Sequence, residues 1–149
     1  MVFPKFSVVA VAALLGLGTL TVFAQDAFVA PATPEEALTL RKGLMREDGG
    51  ILRQAGNLTG DPAVAAMTKL RDNYKHIPDL FPEGSIVGDS EALPAIWENW
   101  DAFIAIADAG VAAAESGITA AQAGDAAAYA AALQTIGGTC GQCHQQFRS

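Results

Sequence analysis

Two thiols and an imidazole stand together in Cys140-Gly141-Gln142-Cys143-His144. On an α-helix, positions i, i+3 and i+4 share a face, so this spacing aims all three groups at one flat ligand. C-x-x-C-H is the attachment pattern of a c-type haem, in which each thiol bonds to a porphyrin vinyl group and the imidazole takes an axial position on the iron. These are the only two cysteines in the chain. A lone C-x-x-C in an exported protein also suits thiol–disulfide exchange. That chemistry expects the motif at a helix start after a strand, whereas here it closes a helical segment with no strand pattern before it. With only His76 and His144 available, no Ser/His/Asp set for hydrolysis can be assembled, and no enzyme activity is expected.

Iron has a second axial position. Only Gln145 to Ser149 follow the motif, so the sixth ligand is expected from upstream, or the position stays open. Beyond the leader described below, the candidates are Met45, Met67 and His76. Met67 reads as core filler, and His76, beside Lys75 at a helix end, as a solvated imidazole. Met45 lies one turn after Arg41. A thioether facing the iron, with a guanidinium reaching a haem propionate, uses both residues and accounts for a charge on an apolar stripe.

Four helix-period segments must position these groups. Thr33-Pro34-Glu35-Glu36 supplies a cap, a first-turn proline and two acids, and predicts a first helix from Pro34 to Ala55. Its stripe runs through Leu38, Arg41, Leu44, Met45, Asp48, Ile51, Leu52 and Ala55, apolar but for Arg41 and Asp48. Gly43, Gly49 and Gly50 are costly in a helix and suggest a close neighbour. A second helix is expected from Pro62 to Lys75, carrying Met67, Leu70 and Tyr74. A long loop from Pro78 to Leu93 follows. A third helix is expected from Pro94 to about Glu115, with Trp97 and Trp100 as core or as packing for a haem edge. A small-residue connection from Gly117 to Gly124 leads to a fourth helix capped by Asp125. On that helix Tyr129, Ala132, Leu133 and Ile136 share the core-facing stripe with Cys140, Cys143, His144 and Phe147. Gly137 and Gly138 are expected to clear the backbone for the macrocycle edge. The pattern predicts an all-α protein, an up-down-up-down antiparallel four-helix bundle enclosing a covalent haem.

Residues 1–24 read as a cleaved signal peptide. Lys5 precedes an apolar run from Phe6 to Val22, and Val22-Phe23-Ala24 fits small-residue cleavage. An uncleaved anchor is the alternative, and no later segment is expected to span a membrane. Cleavage leaves one domain, residues 25–149, in the periplasm. The whole chain has a formal net charge of −7, and losing Lys5 makes it one unit more negative. That balance argues against nucleic acid or an anionic membrane as partner and allows steering towards a basic redox partner protein.

Taken together, Leu40-Arg41-Lys42-Gly43-Leu44-Met45, Pro94-Ala95-Ile96-Trp97 and Gly137 with Cys140-Gly141-Gln142-Cys143-His144 and Arg148 resemble the class II cytochromes c. This group of four-helix bundles includes the cytochromes c′ and a low-spin, methionine-ligated branch, and the resemblance covers residues 34–149. It implies one haem c per chain, held by Cys140 and Cys143, with His144 as proximal iron ligand and Met45 on the distal side. It also implies that Arg41 contacts a propionate and that Arg148 lies near His144. The stretch Ile77-Pro78-Asp79-Leu80-Phe81-Pro82-Glu83-Gly84-Ser85 favours the methionine-ligated branch, and Phe147 stands where Tyr is common. Electron transport is the implied function. Five-coordinate binding of nitric oxide or carbon monoxide is the alternative, and monomer and homodimer are both open.

Overall fold

The computed structural model describes residues 28–149; the signal-peptide cleavage expected after Ala24 lies outside them. Helix α1 spans Pro34–Ala55, as the periodicity predicts, and its cap forms: the Glu36 amide donates to Thr33 Oγ1 at 3.1 Å. Helix α2 runs from Gly60 to His76, two residues earlier than Pro62 at its start. The segment after it is irregular apart from one 3₁₀ turn, Pro78–Leu80. Among the described residues no strand forms, only an isolated bridge between Ala92 and Arg148.

The expected third helix differs at both ends. Helix α3 is a single turn, Ala95–Glu98, because Asn99 leaves the helical region at φ −131°, ψ 46°. Helix α4 restarts at Trp100 and continues to Ala123, straight through the expected connection. Gly117 does not break it, since this glycine is buried against α2, where an added Cβ would lie 2.7 Å from Met67 Sδ and Cε. The chain turns only at Gly124, whose φ of 70° is the left-handed conformation glycine adopts without strain. Asp125 then caps α5, Ala126–Phe147, by accepting from the Ala128 amide at 2.9 Å.

By length and composition α4 could cross a membrane, contrary to the expectation that no later segment could. In this fold α4 buries one face, because it packs against both α2 and α5. Its small residues Gly110, Ala113, Ala114, Gly117 and Ala120 are buried, which brings α2 close enough for Tyr74 and Met67 to press on the α4 backbone. Met67, Leu70, Phe103, Ile96 and Ile136 are each buried to within 1% of full coverage. Contacts from α1 to α5 are sparse. The four long helices therefore make a bundle that is tight around α4 and open between α1 and α5.

Candidate haem site

Two adjoining cavities occupy the open side. The larger, of about 460 Å³, is lined by Arg41, Met45, Phe103, Cys143, His144 and Arg148 among others. The smaller, of about 220 Å³, is lined by Met45, Asp48, Gly49, Tyr74, Phe103, Cys140 and His144 among others. Met45, Phe103, Cys143 and His144 border both. Both thiols are free and half-buried on this wall, so the helical spacing does place the three groups of the motif at one concavity.

Helix α1 forms the opposite wall. Of the three upstream candidates for a second axial ligand, only Met45 borders the cavities. Met67 is fully buried against Gly117 on the far side of the bundle. His76 pairs with Asp79 at 3.2 Å and stacks on Phe28 with ring centroids 3.8 Å apart. Neither tryptophan lines either of these two cavities. Trp97 donates to the Phe81 carbonyl at 3.0 Å, and Trp100 stacks on Phe103. Phe103, which the sequence pattern gave no site role, is the aromatic that meets both cavities.

Arg41 is 4% exposed. Its guanidinium donates to Ser85 Oγ at 3.0 Å, the Ser85 carbonyl at 2.7 Å and Ser90 Oγ at 2.6 Å, and lies over the Phe81 ring. This clasp on the loop after α2 has no counterpart in the sequence expectation. None of these partners is a carboxylate, so a buried cation faces the larger cavity without an anion, and burial lowers its pKa. A propionate would supply the missing charge. Two free thiols, an imidazole, an apolar floor of Phe103 and Phe147, and an uncompensated guanidinium together fit a covalently held haem.

Around His144, the chain end is strapped to the loop. Leu93 N–H donates to the Phe147 carbonyl and Ser149 N–H to the Glu91 carbonyl, both at 2.9 Å. Arg148 Nε donates to Glu91 Oε2 at 2.8 Å. Burial lowers the His144 pKa, with Arg148 acting the same way and Glu91 opposing; a neutral imidazole is the form that ligates a metal.

Three features escaped the sequence reading or run against it. Gly137 and Gly138 are exposed and border neither cavity, and a Cβ at either would meet open space, so no neighbour among the described residues requires glycine there. Asp48 is 4% exposed and accepts from Asn73 Nδ2 at 2.6 Å; its place on an otherwise apolar stripe was the available signal. Tyr74 reaches across to α5, with its hydroxyl 3.0 Å from Cys140 Sγ, and only its position on a core stripe hinted that its oxygen needed a partner.

Bundle, motif and cavity define a haem-bearing helical protein, and comparison with known proteins supplies the family. Residues 34–148 match the family described as Cytochrome C', and the chain belongs to it; its members carry haem c. It is 38% identical to cytochrome c-556 of Agrobacterium tumefaciens (strain II Chrys) over 72% of this chain and 93% of the relative. It is 32% identical to cytochrome c' of Rhodospirillum rubrum over 93% of this chain and 95% of the relative. Among solved structures, a cytochrome c' with ligand-controlled dimer dissociation superposes with a TM-score of 0.71 at 25% identity, covering 80% of this chain and 99% of that one. The nitric oxide complex of a cytochrome c prime variant from Alcaligenes xylosoxidans gives 0.69 at 25% identity, covering 80% and 98%.

Proposed function

We propose that this protein is a periplasmic electron carrier, not an enzyme, in which one haem c per chain is bonded to Cys140 and Cys143 and its iron is ligated by His144 and Met45. The observation that carries the reading is the position of Met45, the only upstream candidate bordering both cavities that Cys143 and His144 also border. The cofactor supplies the one-electron couple. The chain supplies the rest: Phe103, Ile106 and Phe147 exclude water, Arg41 offsets propionate charge, and a Met/His ligand pair favours a raised potential. Its partner is a redox protein that gives or takes one electron.

A second reading is five-coordinate iron that binds a diatomic gas beside Met45. It is supported by the nitric oxide complex of the Alcaligenes relative and by the smaller cavity, walled by Leu52, Ile77, Ile106 and Ala107. Optical spectra of the purified holoprotein separate the two. Met45 ligation gives low-spin bands in both oxidation states, and Met45→Ala converts them to high-spin bands and opens carbon monoxide binding. An unchanged spectrum in Met45→Ala would sink the ligation and favour the gas-binding reading.

A further inference from the structure

One thiol of the attachment motif is held in place and the other is not. Tyr74, near the end of α2, is 4% exposed. Its hydroxyl lies 3.0 Å from Cys140 Sγ, 2.9 Å from Thr139 Oγ1 and 3.4 Å from the Ile136 carbonyl. Counting protons narrows this set. Thr139 donates its own proton to the Ile136 carbonyl at 2.7 Å, which leaves its oxygen as an acceptor. The Tyr74 hydroxyl can then donate to Thr139 or to the Ile136 carbonyl, and its hydrogen bond with Cys140 Sγ holds the sulfur whichever of the two atoms donates. The ring has little freedom to retreat, because it lies against the α4 backbone at Gly110, where even a Cβ would overlap it. Tyr74, Thr139 and Cys140 all line the smaller cavity. Cys143 has no counterpart to Tyr74 among the described residues, although it lines the same cavity.

We infer that Tyr74 is a positioning residue for haem attachment: it holds Cys140 Sγ at the cavity wall where a vinyl group arrives, and so favours the Cys140 thioether specifically. The inference rests on covalent haem c and not on Met45 ligation. In the step it serves, the thiol adds across a vinyl double bond. A C–S bond forms at the vinyl carbon next to the ring, the S–H bond and the π bond are lost, and the hydrogen ends on the terminal carbon. Nothing is oxidised or reduced. An orienting hydrogen bond helps because it keeps the sulfur in one rotamer near its target.

Single-thiol versions of the full chain, matured in a host that exports it and attaches haem, provide the test. Tyr74→Phe removes one oxygen and keeps the ring against Gly110. In a Cys143→Ser background, where only Cys140 can bond, adding Tyr74→Phe should lower covalent haem per folded chain about fivefold, the equilibrium weight of one hydrogen bond. In a Cys140→Ser background the same change should have no effect. Intact mass after denaturation reads both. A merely structural role would lower both backgrounds alike, and either an equal fall or no fall with Cys143→Ser overturns the inference. Should the single-thiol chains not accumulate, Tyr74→Phe with both cysteines present decides by counting alkylatable thiol. Free Cys140 in excess of free Cys143 is expected, and equal amounts overturn the inference. A high-spin spectrum would sink Met45 ligation and leave these counts untouched.

Discussion

Where α2 meets α4, Gly110 and Gly117 admit the side chains of Tyr74 and Met67 onto the helix backbone, and Met67 and Leu70 are left with no exposed surface. Where α1 faces α5, Met45 and Leu52 look across a space of about 220 Å³ towards Cys140 and Cys143. The two sides of the bundle meet the same requirement for close packing by different means. One side fills itself with its own side chains. The other leaves room for a cofactor and places charged groups around it, Arg41 and Asp48 both standing on α1. Dispersion contacts missing from a void are lost outright, so the α1–α5 side depends on haem for its cohesion, and the α2–α4 side does not. Overpacking should therefore cost most on the closed side, and spectral changes should arise on the open one.

The largest stability effect is expected at the tightest point of the closed side. Gly110→Val places a branched side chain where even a Cβ would overlap the Tyr74 ring. The ring is walled in by α5, so the strain should reach the upper end of overpacking costs, about 3 kcal/mol. Thermal unfolding of the holoprotein should show a fall in Tm on the order of 10 °C. A fall of only a few degrees would mean that Tyr74 can leave its place, and would weaken the contrast between the two sides.

A smaller effect, of opposite sign, is expected from the buried acid of the open side. Burial raises the Asp48 carboxyl from 3.8 to about 6, the Asn73 hydrogen bond opposes this, Glu47 adds to it and Lys69 opposes it. A folded pKa above the unfolded one means that stability is fully present below about 4 and is lost as pH rises through 6. Asp48→Asn keeps an acceptor for Asn73 and removes the charge. It should raise stability by about 2 kcal/mol at pH 8 and change little at pH 4. Unfolding curves of both proteins at the two pH values check this, and an equal response at both would show that the charge is compensated in the fold.

What could be seen in the sequence was local. The motif spacing needs only helix geometry, and the α1 start needs only Thr33 and Pro34, so both were legible residue by residue. The family resemblance, the all-α class and the four long helices followed from the same short-range patterns. The course of α4 was not legible. Gly117 looks like a breaker until Met67, fifty positions away, is seen to fill its place, and Asn99 gives no sign that it interrupts α3 and α4. Arg41 shows the same limit. Its position on an apolar stripe marked it for a role, but its clasp on Ser85 and Ser90 depends on how a long loop folds back. The Tyr74–Cys140 contact joins residues 66 positions apart, beyond any periodicity.

Gly137 gives the smallest effect and bears directly on the path expected for the macrocycle. Its place one turn before Cys140 predicts that it makes room for the macrocycle. In the structure it is exposed, borders neither cavity and has open space where a Cβ would stand. Its φ is not positive, so alanine fits the helix without strain and loses less backbone entropy on folding. Gly137→Ala should therefore stabilise the holoprotein by about 0.5–1 kcal/mol and leave haem content and optical bands as they are. If α5 instead carries the macrocycle edge along this glycine, the added methyl group would lower covalent haem or shift the bands. In that case the open side of the bundle would extend further around α5 than the cavities indicate.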